Sequence, residues 1–580
     1  MERDLINRFL GRYRRFVVIV VIASVIVNLL VFTGSVYMML VYDSVLPSRS
    51  EPTLWGLFAM LALVYLLQGS LEVIRSEALL GIANGVHRDL VEPVHRAAVT
   101  RAMQTQREAQ GVQLIRDLDQ VHTFLTSTGP VAIIDLPWVI LFLAVLAAVH
   151  WALGLTALVG TLLLALLSWI TARRSEAGAR RMMELSSRRL AANQAELRFA
   201  EAAHSMGMRE RLLARASEWD KDYVVNQSFL SRTVNRLGGM GRLFRLFLQS
   251  TMLTTGALLV INGKASGGVI LASSILAGRA LAPVDQALAN ARSMAAARAG
   301  WKRIVDSLRA YGQAGVKSVA LAPPARELAA HDLWVIPPGA QTAVLTGVGF
   351  KVQAGQALAI IGPSAAGKST LAKALLGVWP TTRGEVRLDG ATPDQWDREI
   401  LGSYLGYVPQ SIELLEGTIG ENISRFEPGA QSEAVIAAAR DAGMHETILA
   451  LPKGYDTMLS PGGVELSAGQ RQRIALARAL YGNPFVVVLD EPNSNLDSVG
   501  DAALGEAILK VRARGGIVVM VTHRPATLGP VSHVALLVGG KLADFGERDA
   551  VLQRQAQAQA QAGSGSALVQ SQPRREKVQP

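Results

Sequence analysis

Charged side chains fall in blocks along the first half of the chain. Phe16–Tyr42 and Pro52–Leu71 contain none, Gly129–His150 contains only Asp135, and Trp151–Ala172 follows with no charged turn between. Leu246–Asn262 is again free of charge, and the apolar stretch from Ala265 carries Arg279 and Asp285 near its far end. At 1.5 Å of rise per residue, about 20 helical residues cross the hydrocarbon core of a bilayer. The pattern predicts six spans at about 16–42, 52–71, 129–150, 151–172, 246–262 and 265–290. Between them, 75–128 and 173–242 are polar but rich in Ala, Leu, Glu and Arg, so helices are expected to continue well beyond the membrane.

The basic residues orient these spans. Arg3, Arg8, Arg12, Arg14 and Arg15 precede the first span, and 75–128 holds six arginines and 173–242 fourteen Lys or Arg. The alternate loops hold only Arg49 and Lys264. Positive charge gathers on the cytoplasmic side, which puts both termini there. A signal peptide also begins basic, but its apolar core is only about 7–15 residues long.

Composition agrees. Of 580 residues, 50% are hydrophobic and 18% charged, against about 25% charged in soluble domains. The net charge of +11 suits nucleic acid or a membrane surface, and its place beside the spans favours the membrane. Cysteine is absent, which excludes disulfides, thiolate metal sites and a cysteine nucleophile within the chain.

Pro and Gly then cluster, and the expected organisation is a transmembrane domain over 1–302, a linker over 303–330, an α/β domain over 331–550 and a low-complexity tail over 551–580. Within the second domain, a short apolar strand precedes Gly362, Pro363, Ser364, Ala365, Ala366, Gly367, Lys368, Ser369 and Thr370, in which Gly362, Gly367, Lys368 and Ser369 fit G-x-x-x-x-G-K-[ST]. Glycines let backbone N–H groups curl around phosphates at the positive end of the following helix. Lys368 would reach the β- and γ-phosphates of ATP, and the Ser369 hydroxyl would bind Mg²⁺. The run "FVVVLDEP" reads as a buried parallel strand with Asp490 at its carboxyl end, suited to Mg²⁺ through water, followed by Glu491, suited to act as general base on water.

The segment "VELSAGQRQRIALARAL" resembles the signature of the ATP-binding cassette (ABC) family, with Leu466, Ser467, Ala468, Gly469 and Gln470 in the L-S-G-G-Q places and Ala468 at the third. Gln410 in "YVPQ" is similar to the family's Q-loop, Asp497 in "SNLD" to its D-loop and His523 in "VTHRP" to its switch histidine. The resemblance implies that Glu491, His523 and Gln410 act in catalysis, that Gln410 joins Ser369 and Asp490 around Mg²⁺, and that two chains pair head to tail. The signature of one chain then closes over ATP held by the other, so the working unit is a homodimer with two complete sites. One departure stands out: the family's adenine-stacking aromatic would fall near Pro337, and Trp334 is out of register.

"MLVYDSVLPSRSEPTL", "DLPWVILFLAVLAAVHW" and "GRALAPVDQAL" resemble the type I secretion ATPases, and "YVPQSIELLEGTIGENISRF" with "DEPNSNLD" resembles their protease and lipase exporter branch, over roughly 10–550. That implies export of an unfolded protein with an uncleaved C-terminal signal across a Gram-negative inner membrane, with a periplasmic adaptor and an outer-membrane channel, and no leader-peptidase domain. An exporter of lipid, drug or peptide shares the layout, and a DNA-associated cassette ATPase is a remoter alternative that membrane fractionation would separate. Nucleic acid is not an expected partner; membrane lipid is. Asp135 and Arg279, ionisable residues within spans, are candidate lining for the cargo path or lipid-facing groups at the inner interface.

Overall fold

The structure is a computed structural model and describes residues 11–105, 108–311, 321–459 and 466–557. It divides into two compact units, residues 1–98 with 111–312 and residues 99–110 with 313–580.

The first unit is helical. Among the described residues, five helices are long and apolar enough to cross a membrane: Arg14–Ser48, Glu51–Met103, Trp151–Arg198, Arg209–Ile261 and Gly267–Ala287. Gly129–Asp135 and Trp138–Val149, bent by 42°, make a sixth if taken as one span. Each apolar run of the sequence lies in one of these, and the polar stretches prolong them, so that Glu51–Thr105 is one 55-residue helix. The bend has a local cause. Pro137 has no N–H to donate and its ring blocks the carbonyl one turn back, and the chain passes the break with tight bonds from Val139 N to Leu136 O and Ile140 N to Pro137 O. Within the polar stretch 173–242, the helix breaks at Met206–Met208, where Gly207 takes φ +63°.

The second unit is α/β. Its strands in chain order are β1 (Glu327–Val335), β2 (Leu345–Gln353), β3 (Ala357–Ile361), β4 (Arg383–Leu388), β5 (Leu405–Val408), β6 (Gly417–Thr418), β7 (Met458–Leu459), β8 (Val486–Asp490), β9 (Ile517–Val521), β10 (His533–Val538) and β11 (Lys541–Glu547). The central sheet runs β11-β10-β3-β9-β8-β5, parallel except for the edge strand β11. β8 and β9 are buried along their whole length, as their unbroken apolar runs require of strands covered on both faces. An antiparallel sheet β2-β1-β4 packs beside it, and β6 pairs with β7 in a smaller helical region. Because β3, β9, β8 and β5 are parallel neighbours, the loops after their carboxyl ends open at one edge of the sheet, where α/β folds bind ligands.

Three expected boundaries shift. The helix Ala291–Tyr311 runs into the 303–330 segment, because Ala297, Ile304 and Leu308 form a buried stripe at helical spacing. The α/β domain starts before 331, with β1 lying between the two proline pairs rather than after them. Helix continues to residue 557, so 551–557 is not tail: Val551 is fully buried and Arg554 pairs with Asp544 at 2.8 Å. The repeat that suggested low complexity begins only beyond that helix's anchor, and 558–580 lie outside the described residues.

Candidate nucleotide site

β3 delivers the loop 362–367 to the edge of the sheet, and the helix Lys368–Leu375 leaves it. Gly362 has φ +150°, and a Cβ there would collide with the Leu537 carbonyl on β10. Gly367, at φ +96°, would place a Cβ 2.7 Å from Leu345. Gly362 is therefore demanded by its backbone conformation and a neighbouring carbonyl, and Gly367 by its left-handed backbone beside the Leu345 side chain. Lys368 folds over the loop, its Nζ donating to the carbonyls of Gly362 at 3.0 Å and Pro363 at 2.8 Å. Burial lowers its pKa, opposed by the nearby Glu491 and Asp490 carboxylates.

Ser369 Oγ donates to Asp490 Oδ1 at 3.1 Å. Asp490 is 1% exposed, and its Oδ2 has no hydrogen-bond partner among the described residues. Burial, partly offset by the Ser369 bond, raises its pKa. A part-buried hydroxyl–carboxylate pair with a spare oxygen fits hydrated Mg²⁺, which takes few protein ligands and completes its octahedron with water and nucleotide phosphate. Tyr407 on β5 lies close enough to feel Asp490, and burial first and that charge second push its pKa up to about 12.

Glu491 follows at φ +52°, a strained backbone for a side chain with a Cβ. Its Oε1 is 2.8 Å from His523 Nε2, and its Oε2 accepts from Gln410 Nε2 at 3.2 Å. The ends of β8, β9 and β5 thus bring the three expected catalytic residues onto one carboxylate. Asp497 Oδ1 accepts from Gly500 N at 2.7 Å and caps the helix Ser498–Ala513.

The signature sits apart from this cluster. Ser467 caps the helix Ala468–Leu480, accepting from Gln470 N at 3.2 Å while its own N–H donates to Gln470 Oε1 at 2.9 Å, a closed capping box. Leu466 is buried, Ser467 and Ala468 are exposed, and a Cβ on Gly469 would lie 2.9 Å from Asn495 O. None of the five signature residues is hydrogen-bonded to the loop 362–370 among the described residues.

Gln472 escaped the sequence reading. It is 2% exposed, donates to the carbonyls of Pro492 and, at 3.4 Å, Glu491, and accepts from Asn495 N at 3.0 Å. It fastens the helix Ala468–Leu480 to the loop that carries Glu491. A polar residue on the face that also buries Ala475 and Leu476 was the available signal.

Asp135 is not open to a conduit within the chain. It pairs with Arg75 at 3.2 Å, side chains 13% and 9% exposed, and accepts from Asn28 Nδ2 at 2.8 Å. Arg75 also donates to Ser24. The charge that the third span carries is neutralised by a residue just past the predicted end of the second. Arg279 is exposed and has no partner among the described residues.

Residues 17–282 match the ABC transporter transmembrane region and residues 345–494 the ABC transporter family. The chain is 47% identical over 531 residues to the type I secretion system ATP-binding protein PrsD of Rhizobium meliloti strain 1021, covering 92% of this chain and 91% of that protein. It is 28% identical over 550 residues to the leukotoxin translocation ATP-binding protein LktB of Mannheimia glucosida, covering 93% and 77%. In fold it is similar to a bacterial Atm1-family ABC exporter with ATP bound, with a TM-score of 0.78, 21% identity and coverage of 97% and 99%. The order of the two units, the nucleotide loop with its Asp490–Glu491 strand and the similarity along nearly the whole length make this chain a member of the ABC transporters, in their type I secretion branch, that couples ATP hydrolysis to protein export.

Proposed function

We propose that two copies of this chain form the inner-membrane motor of a type I secretion system in a Gram-negative bacterium. It passes an unfolded protein bearing a C-terminal signal, of the protease, lipase or repeat-rich kind, to a periplasmic adaptor and an outer-membrane channel. The observation that carries this reading is the 47% identity to a type I secretion ATP-binding protein across both units. The basic residues flanking the spans support cytoplasmic termini.

At each ATP site the loop 362–370 binds the phosphates, with Lys368 against the β- and γ-groups. Bound Mg²⁺, held by Ser369, Asp490 and Gln410, would neutralise charge on the phosphates. Glu491 orients water and takes its proton, and His523 and Gln410 hold that carboxylate in place. Ser467 and Gly469 act on ATP bound to the partner chain. The exposure of Ser467 and Ala468 at a helix N-terminus, with no hydrogen bond to the chain's own loop 362–370 among the described residues, supports the head-to-tail arrangement. Arg279, exposed and without a partner among the described residues, remains the candidate for contact with cargo; Asp135 does not.

The test is a comparison of culture supernatants from the parent strain, a strain lacking this chain and one carrying Glu491→Gln. At least one protein should vanish from the medium and accumulate inside the cell in both altered strains. Identical supernatants, with lipid export impaired instead, would refute protein secretion.

A further inference from the structure

The signature helix Ala468–Leu480 ends in buried surroundings, where its last carbonyls need donors. Two find backbone partners: Ala477 O accepts from Tyr481 N and Leu480 O from Asn483 N. The others are served by one side chain. Arg425 donates from Nε to Arg478 O at 3.0 Å and from Nη2 to Ala479 O at 3.3 Å and Tyr481 O at 3.2 Å. Its Nη1 donates to Gly402 O at 2.8 Å. A cation at this end also complements the helix dipole.

Gly402 belongs to the helix Arg398–Ser403, which leads directly into β5 and so to Gln410. The two parts are in direct contact as well, since a Cβ on Gly406 of β5 would collide with Ala479 O. Arg478 reaches Glu413 O, just beyond Gln410, at 3.2 Å. Arg425 is held at this junction by an unusual turn, in which both it and Phe426 have left-handed backbones at φ +59° and +58°. Such strain persists only where the surroundings enforce it.

We propose that Arg425 is a positioning residue that locks the signature helix to the strand carrying Gln410. A 13-residue helix is a rigid rod about 20 Å long, so the seat of its C-terminus sets where Ser467 and Gly469 stand. Gln410 belongs to the chain's own ATP site and the signature to its partner's. Arg425 therefore joins the two sites of the dimer, an inference that rests on the head-to-tail reading.

The experiment uses the full-length dimer. Arg425→Gly suits the left-handed backbone and removes the guanidinium together with its aliphatic stem. It should lower ATPase turnover at least tenfold, with binding of a fluorescent ATP analogue within about twofold of the parent. Arg425→Lys, a point charge without the fork, should recover only part of the turnover. Arg425→Gly chains are then mixed with Lys368→Ala chains, beside a control mixture of Ser467→Arg with Lys368→Ala. If Arg425 acts through its own signature, both mixtures contain one intact composite site and regain similar ATPase. A dead control refutes the head-to-tail reading itself. A live control with a dead Arg425 mixture refutes the role of Arg425 alone. Parental turnover in the Arg425→Gly homodimer, or loss of analogue binding by it, would equally overturn the proposal.

Discussion

His523 Nε2 lies 2.8 Å from Glu491 Oε1, while Gln410 holds the other carboxylate oxygen at 3.2 Å. The Glu491 carboxylate is thereby fixed from β9 and from β5, although its own backbone is strained. Removing the imidazole should release the carboxylate without emptying the site. His523→Ala is expected to lower kcat by about tenfold to a thousandfold with little change in KM, because orientation rather than ground-state binding is lost. Unchanged kcat would remove His523 from the mechanism.

The Arg75–Asp135 pair bridges the second and third spans beside the bend at Pro137. Asp135→Ala leaves a buried guanidinium without its counter-charge and should destabilise the first unit by about 3–5 kcal/mol. Replacing both residues by Leu or Met should recover most of that loss, since two desolvated charges disappear together. Thermal unfolding in detergent measures both. A double replacement as unstable as the single one would mean that the pair is not a closed unit. Arg279→Cys, by contrast, should react with a water-soluble thiol reagent and be protected by cargo; labelling only by a lipid-phase probe would turn that residue towards the bilayer.

The buried Asp490 carboxyl has a raised pKa, so its proton is kept to a higher pH than on an exposed aspartate. Mg²⁺ needs the ionised form. Mg²⁺ affinity, measured with a non-hydrolysable ATP analogue, should therefore fall on acidification and begin to fall above the usual aspartate pKa of about 3.9. The sign follows from the direction of the shift: a raised acid pKa moves the loss of the charged form upwards in pH. Affinity that holds constant down to about pH 4 would contradict the assignment of Asp490 to Mg²⁺.

The helical end of the α/β unit is structural. A chain ending after Glu547 loses fully buried Val551 and the Arg554–Asp544 pair. It should be destabilised by roughly 2–4 kcal/mol, mostly through the apolar cavity left behind. A chain ending at residue 557 should match the parent in thermal unfolding. Equal stability of the two truncations would place Val551 outside the core.

Much of this was legible in the sequence because membrane spans and phosphate loops each have a local signature. Charge-free runs located the spans, and the loop, the Asp490–Glu491 strand, Gln410 and His523 are motifs that parallel strands carry to one edge. Relationships between distant residues were not legible. Nothing near Asp135 points to Arg75, 60 positions earlier, and nothing near Ala479 points to Arg425. The proline pairs misled for a physical reason: they flank β1, and proline marks where a strand begins or ends as readily as where a domain does.

If Glu491 drives hydrolysis in ATP sites closed by a second chain, loss of its basicity alone should stall the dimer with ATP bound. Glu491→Gln keeps the shape of the side chain, but its amide nitrogen donates where a carboxylate oxygen accepted, and it cannot take the proton from water. The decisive measurement is turnover and bound nucleotide in the full-length Glu491→Gln protein with Mg²⁺ and ATP. Hydrolysis should fall by about a hundredfold or more, and a stable dimer should retain unhydrolysed ATP in both sites. Hydrolysis at the parental rate, or ATP released as fast as from single chains, would contradict it.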